Sequence, residues 1–303
     1  MKFRLEVFEE MTKFHACFCG VLWFFLFFTI PTLVLLAADE KVAGRLLVED
    51  VLAKPGTPAM LKARLVQDGL IGITGLGGET IEFVVQGQWV GTALTGGDGR
   101  AFLEFKTHMR GNQKIIARVE PSPRVNSVSG LGNFASWERR KPILLVDVVT
   151  LLKSQEGNGV SLPVLPLFNP ANFGEPDEDA PNELTKLGAF YYNIIYLLRG
   201  ERGDVESLRE WLRVSKFPPG IARAIESGPA KLLAFIEKLK KDGWDHIEAG
   251  IGQTKGFADT LVKNRIKVVI FPNPSKKKVK YPRRANAVSY THLRAHQTTH
   301  ELV

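Results

Sequence analysis

Residues 142–153 read PILLVDVVTLLK, from Pro142 to Lys153. Four consecutive apolar residues, Ile143 to Val146, run straight into Asp147, with a polar Lys-Ser-Gln-Glu-Gly segment behind. An apolar run of this length without alternation is the pattern of a strand buried on both faces, as at the centre of a parallel sheet. Open parallel sheets bind ligands at the carboxyl ends of their strands, so Asp147 stands where chemistry is expected. The same residue could instead cap the turn that follows, a common use of Asp, and the stretch alone leaves both readings open.

Downstream, the broken segment Ser154 to Pro181 holds five prolines and the acids Glu175, Asp177, Glu178 and Asp179. The chain then alternates. Asn182–Phe190 reads as a helix, Tyr192–Leu198 as a strand, Asp204–Val214 as a helix and Pro229–Lys241 as a longer helix. Ile247–Ile251, Gly256–Lys263 and Lys267–Phe271 continue as strand, helix and strand. Strands alternating with helices predict a parallel α/β sheet. Pro229 at a helix start and Gly243 past its end are start and stop signals in their usual places.

Upstream, Val42 to Glu120 shows short alternating segments between glycine-rich turns, which predicts an all-β sandwich. The strand candidates are Arg45–Val51, Met60–Val66, Thr80–Val85, Ala101–Lys106 and Lys114–Val119. Asp98, in a Gly-Asp-Gly turn, is read as turn chemistry rather than as a calcium ligand. Pro121 to Arg140 is rich in Pro, Ser, Gly and Asn and reads as a linker that Phe134 and Trp137 could dock against a neighbour.

Thr95–Ala101 followed by Phe105, Gly111-Asn112 and Ile115-Ile116-Ala117 resembles the later half of bacterial immunoglobulin-like domains of surface proteins. That resemblance implies a spacer or adhesive role for about 80 residues. The order ILLVD, IIYLLRG and HIEAGIGQTKGFADTLVKNRIKVVIF resembles the haloacid dehalogenase-like phosphohydrolases, particularly lipin-like and acid-phosphatase-like members, over Pro142 to Pro272. The resemblance implies a nucleophilic Asp, a second Asp two residues on as acid and base, a Thr or Ser and a Lys holding the phosphoryl group, and further carboxylate for magnesium. An anionic nucleophile meets an anionic phosphate only when cations neutralise both.

Asp147 matches the nucleophile, but the acid/base position is Val149 and the hydroxyl position falls on Leu198. Lys231, early in a helix, can match the phosphate lysine, or be an ordinary surface lysine. In the last motif Gln253 stands where a carboxylate is common, and Phe257 where another is expected; Asp259 comes two residues late. The candidate catalytic residues are therefore Asp147 and Lys231, and the candidate metal ligands Asp147 and Gln253. One carboxylate plus one amide is a poor magnesium site, so the domain reads as catalytically degenerate. The competing expectation is an active magnesium-dependent phosphohydrolase drawing its acid and metal ligands from Glu175 to Asp179.

The remaining sequence bears on location. Ala16 to Ala38 is an uncharged run of 23 residues followed by Asp39, Glu40 and Lys41. It is long enough to span a bilayer, and Leu36-Ala37-Ala38 could serve as a signal-peptidase site; export is expected, with cleavage and anchoring both open. Met11 could be the true start. The two cysteines, Cys17 and Cys19, lie in this leader, too early in it for lipidation, so the rest of the chain forms no disulfide and no thiolate zinc site. His15, His108 and His246 are scattered, with no two at metal-ligand spacing, and His292, His296 and His300 lie in an adapter-like C-terminal tail and are set aside.

With 45% hydrophobic and 10% aromatic residues the chain can build packed cores. Of the formal net charge of +8, six positive charges sit at Lys276, Lys277, Lys278, Lys280, Arg283 and Arg284, so the basicity is local. That run could touch anionic lipid or a phosphate backbone, but no repeated aromatic or glycine pattern accompanies it, and nucleic acid is not an expected partner. Val288 to Thr298, VSYTHLRAHQT, resembles the translated transposase adapter of sequencing libraries, which suggests a natural chain truncated near Ala285.

The expected architecture is multidomain: an all-β immunoglobulin-like sandwich plus an α/β parallel-sheet domain of the haloacid dehalogenase-like kind, with an N-terminal apolar helix. The expected boundaries are a signal peptide or membrane anchor over 1–38, the sandwich over 39–120, a linker over 121–141, the α/β domain over 142–274 and a basic tail over 275–303. The expected partners are a membrane, through an uncleaved leader, and a cell-surface or phosphate-bearing ligand.

Overall fold

The computed structural model describes residues 41–69, 72–153, 173–200, 204–271 and 285–287. The leader over 1–38, most of the broken segment Ser154 to Pro181 and almost all of the basic tail lie outside the described residues. Among the described residues no helix is long and apolar enough to cross a membrane.

Residues 44–121 join the later chain from 127 onward in one unit. Nine strands build its two antiparallel-rich sheets: β1 (Arg45–Val48), β2 (Val51–Ala53), β3 (Pro58–Gly69), β4 (Gly72–Gly75), β5 (Thr80–Val85), β6 (Gln88–Leu94), β7 (Arg100–Lys106), β8 (Gly111–Val119) and β9 (Ser129–Ser136). One sheet orders β1-β3-β4, with β7 also pairing β3; the other orders β2-β9-β8-β5-β6. The first strand pairs antiparallel with β3, and the separate piece β2 runs parallel to the last strand, β9. This is the immunoglobulin-like arrangement, with the first strand divided between the two sheets. Alternation drives it: Leu61, Ala63 and Leu65 of β3 and Ile115, Ala117 and Val119 of β8 are buried, while Lys62, Arg64, Ile116 and Arg118 between them are not. Phe105 and Phe134 meet edge to face at 5.4 Å. In the turn before β7, Asp98 accepts the Arg100 N–H at 3.1 Å and its guanidinium at 2.6 Å, which holds its carboxyl below the usual range.

The expected linker is corrected by β9, which pairs with β8 over eight residues inside it. Its sequence SGLGNFAS looks like linker because two glycines face the close approach of β1. A Cβ at Gly130 would lie 2.2 Å from the Leu46 carbonyl oxygen, and one at Gly132 2.7 Å from Val48 Cγ1. Gly130→Ala should therefore force the sheets apart and cost about 1–3 kcal/mol, read as a shift in the urea midpoint; an unchanged midpoint would mean β1 yields freely. Phe134 is sandwich core, whereas Trp137 packs with Trp244, edge to face at 6.4 Å, in the core beneath a third sheet.

That third sheet is parallel throughout: β10 (Ile143–Asp147), β11 (Asn193–Arg199), β12 (Ile221–Ile225), β13 (Ile247–Gly252), β14 (Lys267–Ile270) and β15 (Ala285–Ala287). Its order is β12-β11-β10-β13-β14-β15, and β15 places three residues of the expected tail against β14. In chain order this is 3-2-1-4-5-6, a doubly wound sheet. Helices α1 (Ala180–Phe190) and α2 (Val205–Val214) cover one face and α3 (Pro229–Lys241) and α4 (Lys255–Lys263) the other. All five residues of β10 are buried, Leu144 and Val146 facing α1 and α2, Ile143 and Leu145 facing α3 and α4. Asp204 caps α2 by accepting the Glu206 and Ser207 N–H groups.

Strand β12 has no hydrogen-bonded neighbour strand on its outer side among the described residues, and the sandwich covers that edge with polar side chains. Asn112 Nδ2 donates to the Pro219 carbonyl at 2.8 Å and Asn133 Nδ2 to the Gly220 carbonyl at 3.0 Å. The Ala222 N–H donates to Asp50 Oδ2 at 2.7 Å. An open sheet edge is thereby satisfied without another strand.

Residues 41–43 and 122–126 form a separate small unit, in which Val42 bridges Val125 and its N–H donates to the Arg124 carbonyl at 2.8 Å.

Candidate functional site

The order of the parallel sheet reverses between β10 and β13, and at such a switch the crevice beyond the carboxyl ends is the natural ligand position. Asp147 ends β10 there. The chain leaves it through a 3-10 turn, Val148–Leu151, whose Thr150 hydroxyl donates back to the Asp147 carbonyl at 2.7 Å. The Asp147 side chain caps nothing in that turn. It is fully buried and points at Arg199, the last residue of β11 on the adjacent strand.

Arg199 donates through Nη2 to Asp147 Oδ2 and, at 3.3 Å, to the hydroxyl of Thr254. Thr254 is itself the N-cap of α4, accepting the Phe257 N–H at 3.3 Å. The guanidinium lies 5.6 Å from the centre of the Phe257 ring, close enough for a cation–π contact. Asp147 Oδ1 and Arg199 Nε have no hydrogen-bond partner among the described residues. Burial pushes the Asp147 carboxyl up, and the Arg199 charge opposes that shift.

Of the residues singled out from sequence, Asp147 and Gln253 come to the same end of the sheet, Gln253 directly after β13. Lys231 does not join them through any ion pair: it sits half exposed in the first turn of α3 and pairs with Glu226 at 2.5 Å. Val149 follows in the turn, and Leu198 is buried in the core beneath α1 and α2. In the acidic segment, Glu175 and Glu178 lie 3.7 and 3.6 Å from Lys153. Neither hydrogen-bonds Asp147.

The sequence reading passed over Arg199, although a cation at the end of an apolar strand beside an Asp strand is the available signal for it. The donor set does not fit magnesium. Its one carboxylate is already joined to an arginine, and no group of three or more His, Cys, Asp or Glu gathers among the described residues.

No family model matches the chain, and no curated protein matches it. Among solved structures, it is similar to fibronectin(III)-like modules of CbhA from Clostridium thermocellum, at 13% identity, over 30% of this chain and 96% of that one, with a TM-score of 0.21. It is also similar to the CARDB domain of a Pyrococcus furiosus protein, at 13% identity, over 30% and 94%, with a TM-score of 0.23. A family 123 glycoside hydrolase from Clostridium perfringens is similar at 9% identity over 73% of this chain and 58% of that one, with a TM-score of 0.20. Likenesses at these scores carry no weight, and the sandwich is assigned by its own strand order.

Proposed function

We propose that this chain is an exported, envelope-associated binding or structural protein, in which an immunoglobulin-like sandwich presents a catalytically degenerate haloacid dehalogenase-like layer. One observation carries the reading: the buried carboxylate at the switch point is held by Arg199. A nucleophilic carboxylate must be free to approach phosphorus while mobile or metal cations share its charge. Here a fixed guanidinium binds it from the neighbouring strand, the acid/base position is Val149, and Leu198 supplies no hydroxyl.

Export rests on the uncharged run Ala16 to Ala38 alone. If uncleaved, that run makes the membrane a partner, and the presented layer then faces a cell-surface or phosphate-bearing ligand.

The test is magnesium-dependent hydrolysis of p-nitrophenyl phosphate, with Asp147→Asn as the control. Turnover no greater than that of the variant is the expected result. Magnesium-dependent turnover that vanishes in Asp147→Asn would overturn the proposal, because the missing ligands would then be supplied from elsewhere.

A further inference from the structure

A cleft of about 840 Å³ opens between the sandwich and the α/β sheet, beside the edge strand β12 and well away in sequence from Asp147. That volume is in the range of small-molecule sites. Strand β2 and the start of β3 form one side, β12 and α3 the other. Val51, Phe235, Leu239 and Trp244 give it an apolar wall.

Its charges are unbalanced. Lys62 is matched by Glu49 at 3.7 Å and Arg209 by Asp50 at 2.9 Å. Lys54, Arg223 and Lys238 are then left with one further lining acid, Asp242, and none of these three cations has an ion-pair partner among the described residues.

Arg223 is the fixed member of this set. Its Nη2 donates to the Asp50 carbonyl at 2.8 Å and its Nη1 to the Ala222 carbonyl at 3.2 Å. Two backbone carbonyls orient the guanidinium but leave its charge without a contacting carboxylate. Burial accordingly pushes its pKa down, with Asp50 and Glu49 opposing from a distance. A held, planar donor fork is the geometry that recognises a carboxylate in two-point fashion, at little entropic cost because it is already ordered. An ordered cation over an apolar wall fits an anion with an apolar body.

We infer that this cleft binds a small organic carboxylate, its carboxylate on Arg223 with Lys238 at the mouth, and its aromatic or aliphatic body against Phe235 and Trp244. The site is separate from the Asp147 crevice and does not depend on the proposal made for it.

Calorimetric titration of the full chain with phenylacetate tests it, with acetate supplying the anion alone and benzyl alcohol the apolar body alone. Phenylacetate should bind at least tenfold more tightly than either. Arg223→Gln should weaken it at least tenfold. Because Arg223 also touches the Asp50 carbonyl, Lys238→Glu on the exposed side of α3 provides a second variant that leaves the fold contacts alone. It should weaken phenylacetate severalfold and benzyl alcohol not at all. No saturable binding of phenylacetate, equal affinity for acetate, or undiminished affinity in Lys238→Glu would each overturn the inference.

Discussion

Replacing Arg199 by methionine should cost about 3–5 kcal/mol of stability at neutral pH, the usual penalty for stripping one partner from a buried ion pair. Asp147 is fully buried, the Arg199 side chain is 14% exposed, and Oδ2 receives a hydrogen bond from that guanidinium. Without it the carboxylate keeps its desolvation cost and loses the opposing charge.

The pH dependence has a definite sign. Burial already raises the folded-state pKa of Asp147, and removing Arg199 raises it further. Below the unfolded value of about 3.9 both states hold the proton and the variant suffers little from this group. As pH rises from there through the folded pKa, the unfolded chain releases its proton first and stability is lost. Urea unfolding between pH 4 and 7.5 should therefore show the gap between variant and wild type widening with pH. The pair Asp147→Leu with Arg199→Met should recover most of the loss, since well-packed apolar replacements of a buried pair are often neutral or stabilising. A single variant within about 1 kcal/mol of wild type at pH 7, on the scale of an exposed pair, would remove the ion pair from the account of this site.

Asp50→Ala is the second large effect. Asp50, fully buried at the corner between β1 and β2, accepts the Asn133 N–H at 2.8 Å and the Ala222 N–H at 2.7 Å, with Arg209 Nε 2.9 Å away. Arg209 reaches further, donating to the carbonyls of Leu131 at 2.7 Å and Val48 at 2.5 Å. One carboxylate thus ties sandwich strand β9, edge strand β12 and helix α2 together. Its loss strands a largely buried guanidinium and leaves two backbone N–H groups without their acceptor, and should cost about 3–5 kcal/mol.

Asp50→Asn preserves shape but turns one acceptor into a donor facing donors, so it should rescue only part of the loss. Hydrogen exchange gives the local readout: the Ala222 amide and its neighbours in β12 should lose protection while β10 keeps it. Loss of protection in the sandwich and sheet to the same degree would show that Asp50 serves global stability rather than this joint.

Local sequence signals reach the elements that carry these two pairs but neither pair itself. The order of helices and strands after Pro142 followed from signals within a few residues of each element. Pro229 and Gly243 bracket a helix that spans Pro229–Lys241 as expected, and the unbroken run ILLVD becomes the central strand. The alternation in Met60–Val66 and Lys114–Val119 likewise falls within β3 and β8. IARAI, short and carrying an arginine, does not announce strand β12, and the glycine inside QWVGTAL hides β6.

Gln253 and Asp147 were placed at one end of the sheet by element order, but their chemistry was not. Asp147 and Arg199 lie 52 residues apart, and Asp50 and Ala222 lie 172 apart. No periodicity or cap links such positions. Only the pairing of β10 with β11 brings the first pair together, and only the seating of the sandwich on an open sheet edge brings the second. Because burial on both faces requires an unbroken apolar run, ILLVD was enough to place one carboxylate at the carboxyl end of a parallel sheet. Tertiary structure alone decided that this carboxylate is held by an arginine, because the partner of a buried charge is set by which strands lie side by side.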